Sequence, residues 1–213
     1  MGNGSDSVSE CALIVGKTNS GKTKWILDLL QTQYKNKYEN IVIICPTVTK
    51  NKTYLNRKWI LTDPGVYLID LDHWALGLNE ALHIFTKIFE SEPTLFILDD
   101  CSALQDVKYR KKNKDGTCEL SKMAFSGRHF NHSCWLLTQK YNSVLKDYRE
   151  NTAWVAMFYC KDKNSFEQCL DENDVVPGEK RQEIKNILRR KKYSKLVIRT
   201  EPPVSYEVLG ANK

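Results

Sequence analysis

No apolar run in this 213-residue chain nears the roughly 18 residues a helix needs to cross a bilayer, so no membrane anchor is expected. The start, Met1-Gly2-Asn3-Gly4-Ser5-Asp6, lacks the apolar stretch of a secretory signal. Asp6 also stands where an N-myristoylation motif wants serine or threonine. Residues 1–9 are therefore expected to form a flexible terminus. The seven cysteines are odd in number and no two are three apart. That excludes a full disulfide framework and a C-x-x-C pair, and predicts reduced, mostly buried thiols. Cys118, His129, His132 and Cys134 match no standard zinc spacing, and no zinc site is assigned. The guanine-reading tetrapeptide N-K-x-D is missing, as is L-S-G-G-Q, which sets aside GTPases and ABC-type ATPases. The length is about half what a two-domain helicase needs.

What is present reads as one α/β domain over residues 1–213, with apolar residues at 41% and charged residues at 27%. Apolar, often β-branched runs predict strands at 11–15, 41–45, 66–69, 94–98, 133–138 and 154–159. Helical spacing marks 24–34, 78–89 and 179–190. Residues 104–117 are polar and basic and read as a loop. At the end, 196–199 and 205–209 flank Pro202-Pro203 and predict a β-hairpin or edge pair. Strands alternating with helices imply a mostly parallel central sheet flanked by helices, with a ligand at the strands' carboxyl ends.

The net charge of +6 is unevenly spread. Lys108, Arg110, Lys111, Lys112 and Lys114 fall within seven residues, and Arg189-Arg190-Lys191-Lys192 is unbroken. Such clusters are the footprint of a polyanion partner, or a solvated face.

Three motifs carry chemistry. Gly16-Lys17-Thr18-Asn19-Ser20-Gly21-Lys22-Thr23 is a complete G-x-x-x-x-G-K-[ST] between a strand and a helix. Its glycines let successive amides face a phosphate, with the helix dipole behind them. Lys22 is placed to reach the β- and γ-phosphates, and Thr23 to offer its hydroxyl to Mg²⁺. Leu95-Phe96-Ile97-Leu98-Asp99-Asp100 ends a strand in two acids. Asp99 is expected to fix Mg²⁺ from a strand beside the P-loop strand, and Asp100 to polarise the attacking water. The third motif is the strand Ser133 to Thr138, which ends in Gln139, a candidate γ-phosphate sensor. Arg128 and Arg149 flank that strand as candidate arginines acting on a neighbouring subunit's nucleotide.

Taken together, G-K-T-N-S-G-K-T, I-V-I-I-C-P-T, F-I-L-D-D-C and G-R-H-F-N-H-S-C-W-L-L-T-Q-K follow in order over residues 11 to about 160. This set resembles the genome-packaging ATPases of poxviruses, other large DNA viruses and virophages, in the FtsK–HerA branch of P-loop NTPases. The resemblance implies a RecA-like sheet, ATP and Mg²⁺ as cofactors, and a homo-oligomeric ring. It further implies pumping of double-stranded DNA, without sequence preference, into a capsid through a capsid or portal-vertex protein. The setting would be the cytoplasm or nucleus of an infected cell, at assembling virions. By the same resemblance Lys22 and Thr23 hold nucleotide and metal, Asp99 and Asp100 are the Walker B acids, and Gln139 is the sensor. Many of these motors carry Asp-Glu where this chain has Asp99-Asp100. The alternative is a small-molecule (nucleoside or nucleotide) kinase, in which Lys108–Lys114 would be a phosphate-binding lid. Residues 170–213 match no motif.

Overall fold

The protein's structure, a computed structural model, describes residues 9–74, 76–101, 107 and 118–210. The basic segment 108–114, and with it Lys108, Arg110, Lys111, Lys112 and Lys114, lies outside the described residues, as does most of the loop expected over 104–117.

In chain order the main elements are β1 (Cys11–Val15), α1 (Lys22–Thr32), β2 (Asn40–Ile44), α2 (Lys52–Leu55), α3 (Lys58–Thr62) and β3 (Val66–Ile69). Next come α4 (Leu71–Trp74), α5 (Leu78–Ile88), β4 (Thr94–Leu98), α6 (Glu119–Ser126), β5 (His132–Thr138) and α7 (Lys146–Glu150). The chain continues through β6 (Trp154–Phe158), α8 (Lys163–Glu172), α9 (Gly178–Arg190), β7 (Lys195–Arg199) and β8 (Ser205–Leu209). The eight strands form one sheet ordered β3-β2-β4-β5-β1-β6-β7-β8. The first six run parallel, while β7 and β8 add an antiparallel pair at the far edge. This is the mixed α/β architecture expected from the alternation of elements, closed by the expected C-terminal hairpin.

The strands are apolar on both sides because helices cover both faces of the sheet. Side chains of β1 alternate accordingly. Cys11, Leu13 and Val15 pack into a cluster with Phe85 of α5, Met123 of α6, Phe166 of α8 and Ile184 of α9. Ala12 and Ile14 face the other cluster, with Ile26, Leu27 and Leu30 of α1, Tyr54 of α2 and Ile60 of α3. Each fully buried leucine or isoleucine contributes about 1.5–3 kcal/mol relative to exposure. Five of the seven cysteines are buried and all are free, as the scattered spacing predicts. Burial pushes the Cys45 thiol up to about 11 and the Cys134 thiol to about 12, so both stay protonated.

One topological expectation needs correction. The acid-bearing strand β4 does not lie beside the P-loop strand β1. Strand β5 separates them, pairing with β4 on one side and β1 on the other. Its inner run, Ser133 to Thr138, is buried throughout and fills the gap between the two motif strands.

Where β5 begins, His132 is 4% exposed, and its ring Nε2 lies 2.9 Å from the Phe89 carbonyl. Burial holds its pKa below the ordinary histidine value. The native state therefore refuses a proton that the unfolded chain accepts. Stability is fully present above the unfolded value of about 6.5 and is lost as pH falls from there through the depressed folded value. Urea midpoints measured between pH 7.5 and 5 are expected to decline over that window. His132→Asn should flatten the decline; an unchanged slope would assign it to other groups.

Candidate active site

Residues 16–23 leave β1 at its carboxyl end. The Gly16 amide donates to the Thr138 carbonyl at 3.0 Å, and the Lys17 amide donates to the Tyr159 carbonyl at 3.0 Å. The loop is thus pinned to both neighbours of β1 before it turns. Gly16 has no room for a side chain, since a Cβ there would stand 2.6 Å from Phe158 Cβ. Gly21 has φ 94°, a left-handed conformation that L side chains rarely adopt. It begins α1 with no side-chain cap and no acid in the first turn, so the helix's positive end faces the loop uncompensated.

The polar groups inside this loop lack partners suited to their charge. Lys22 Nζ donates to two carbonyl oxygens, Gly16 at 2.6 Å and Lys17 at 3.2 Å. Burial lowers its pKa, while the carboxylates of Asp99 and Asp100 pull the other way. Ser20 Oγ is buried and has no hydrogen-bond partner among the described residues. A half-buried ammonium, an unpartnered hydroxyl and free helix amides form a set that an anion would satisfy.

The acid end of the site is assembled from three elements. Thr23 Oγ1, in the first turn of α1, donates to Asp99 Oδ2 at 2.7 Å. Tyr54 of α2, fully buried, donates its hydroxyl to the same oxygen at 2.6 Å. Asp99 itself is 5% exposed. Burial raises its pKa, opposed by those two hydrogen bonds and by Lys22. Asp100, next in sequence, is exposed and held at φ 57°. Lys22, Thr23, Asp99 and Asp100 all line one cleft of about 690 Å³. An adjoining, more open depression of about 880 Å³ is lined by Lys24, Lys52, Arg57 and Lys58 and contains no carboxylate. The acid-bearing cleft is the candidate active site.

The family model of the poxvirus A32 protein matches residues 10–204. The chain belongs to that family. No curated protein matches it. Among solved structures, the genome packaging NTPase B204 of Sulfolobus turreted icosahedral virus 2, in complex with AMPPCP, is similar at TM-score 0.64 and 18% identity. That match spans 94% of this chain and 96% of B204. B204, the DNA-packaging ATPase of Sulfolobus turreted icosahedral virus, gives TM-score 0.64 at 15% identity over 93% and 96% of the two chains. The cytoplasmic domain of the type VII secretion ATPase EccC of Thermomonospora curvata gives TM-score 0.60 at 13% identity, covering 92% of this chain and 25% of that one. Identities this low speak to the fold alone. Family, fold and site together make this A32-family chain a P-loop ATPase, as the resemblance implied, and leave the kinase alternative without support.

Elsewhere in the A32-family chain, Gln139 is exposed directly after β5, whose Thr138 pairs with Val15 at the mouth of the P-loop. Arg128 is also exposed but sits before the start of β5, and seven strand residues separate it from that edge by roughly 20 Å. Arg149 is 8% exposed, lies 5.1 Å from the Tyr141 ring, and pairs with Glu172 at 3.2 Å. Four contributors were not assigned to this site from the sequence, although Lys192 stood out there as part of a basic run. Tyr54 comes from a short helix with no amphipathic signal. Lys192, Tyr193 and Lys195, from the segment that matched no motif, line the same cleft.

Proposed function

We propose that this chain is the motor that drives double-stranded DNA into a viral capsid by hydrolysing ATP. The observation that carries the site is the Thr23–Asp99 hydrogen bond, which joins the P-loop to an acid 76 residues away. Residues 16–23 cradle the triphosphate with their amides, and Lys22 exchanges its loop carbonyls for phosphate oxygens. Thr23 and Asp99 are the groups that would hold Mg²⁺, with Tyr54 fixing the carboxylate. Bound Mg²⁺ supplies neutralisation of charge on the β- and γ-phosphates. Asp100, exposed in the cleft, polarises the attacking water, and Gln139 monitors the γ-phosphate from the tip of β5.

In a ring, Arg128 is the better placed arginine to act on a neighbour's nucleotide. It is exposed at the edge opposite its own P-loop, whereas Arg149 is buried against Glu172 and Tyr141. The role assigned to the basic segment 108–114 is contact with DNA phosphates without reading of bases. A capsid or portal-vertex protein is the docking partner, and the setting is inside the infected cell where virions assemble.

The deciding experiment measures ATP turnover with and without duplex DNA, together with the mass of the assembly. Stimulation by DNA and a multiple of 24.7 kDa support the motor. A monomer whose turnover ignores DNA overturns it. Neutralising Lys108, Arg110, Lys111 and Lys112 together is expected to reduce the slope of log affinity against log salt by about 3–4, near 0.9 for each phosphate left without its cation. An unchanged slope would place the DNA surface elsewhere.

A further inference from the structure

Besides the acids, Lys22 and Thr23, the same cleft is lined by Tyr193, Trp25, Phe158, Lys192 and Lys195. Trp25 and Phe158 meet edge to face with ring centres 5.8 Å apart, and Lys195 Nζ lies 5.2 Å and 5.4 Å from those two rings. Tyr193 lies in the turn joining α9 to β7 and is 55% exposed, unlike Tyr54, Tyr141 and Tyr148, which are fully buried. Its ring packs on the P-loop, with Cδ1 only 2.8 Å from where a Gly21 Cβ would stand. The backbone holds it there at φ 69°, a left-handed conformation uncommon for an aromatic residue. The mount behind it is firm. Ser194 is 1% exposed and its Oγ donates to the Lys191 carbonyl at 2.6 Å. Lys192 Nζ lies 4.7 Å from the Tyr193 ring centre. The end of the basic run Arg189–Lys192 therefore faces the nucleotide cleft.

We propose that Tyr193 is the stacking platform for the nucleobase, with Lys192 on its rim, so that residues 192–195 complete the nucleotide site. A flat aromatic face beside a phosphate cradle is what a base needs, and stacking requires no particular hydrogen-bonding edge. The proposal rests on reading residues 16–23 as the phosphate cradle, and the test separates the two.

The full chain, with Mg²⁺ present, is titrated with ATP and separately with tripolyphosphate, which has the phosphates and no base. Tyr193→Leu, which keeps apolar bulk against Gly21, and Tyr193→Ala are expected to weaken ATP binding about tenfold and leave tripolyphosphate unmoved. Tyr193→Phe and Tyr193→Trp are expected to hold wild-type ATP affinity. A Tyr193→Leu chain that binds ATP as well as wild type overturns the platform. So does a parallel loss of both ligands, which would reveal a structural prop for Gly21. A wild-type chain that binds neither ligand overturns the phosphate cradle, and this proposal with it.

Discussion

Replacing Lys22 with alanine is expected to cut ATP turnover by about 10³-fold or more while leaving the thermal unfolding curve almost in place. On the proposed reading the size follows from removing a preorganised charge aimed at the transferring phosphoryl group, where even a single neutral donor is worth about 10²–10³. The undisturbed stability follows from what Lys22 does without nucleotide. Its two hydrogen bonds go to carbonyls of its own loop. Burial also penalises the charged form, as the lowered pKa records. Deleting such a group removes a cost along with two modest bonds, so a change within about 1 kcal/mol is expected. Steady-state hydrolysis and calorimetry on the same preparation check both parts. Retained turnover would move the phosphate site away from residues 16–23, and early unfolding would make Lys22 a structural residue.

Asp99→Asn should be comparably severe for turnover, and it should not weaken the fold. The carboxylate sits 5% exposed, takes hydrogen bonds from Thr23 and Tyr54 on one oxygen, and has its pKa raised by burial. Asparagine keeps the volume and an oxygen that accepts both bonds, but removes the buried negative charge that the proposed metal site requires. Sites of this kind are held at the expense of stability, and relieving them commonly stabilises. Mg²⁺-dependent hydrolysis is therefore expected to fall by at least about 10³-fold, with a melting temperature equal to wild type or higher. A variant that hydrolyses ATP normally would remove Asp99 from the metal site. A lower melting temperature would mean that the charge itself holds α1 and α2 to the sheet.

Much of the architecture was legible because the strands announce themselves. Ile41 to Cys45 and Leu95 to Leu98 are unbroken apolar runs, as doubly covered parallel strands must be. For the strands the expected and observed limits differ by a residue at most, while the first helix, expected over 24–34, spans Lys22–Thr32. Helices with weak apolar faces were missed. Helix α8 buries Phe166, Cys169 and Leu170 among charged residues. Its start was marked only by Asp162, whose carboxylate accepts from the Ser165 amide at 3.1 Å. Helices α2 and α3 are too short for periodicity to register, and Tyr54 was lost with them. The order of strands was also beyond sequence, since nothing local in Ser133 to Thr138 says that it inserts between β1 and β4.

The chain's own letters determined the 16–23 loop, the acids that line one cleft with it, and the parallel sheet that presents both. These depend on short-range chemistry: glycine backbone freedom, a lysine and a threonine at fixed spacing, and carboxylates at the end of an apolar strand. Only the tertiary structure decided that Tyr54 grips Asp99, that Arg149 is buried against Glu172, and that Tyr193 leans on Gly21 from near the other end of the chain. Such contacts join residues distant in sequence, and burial and distance are properties that no local pattern carries.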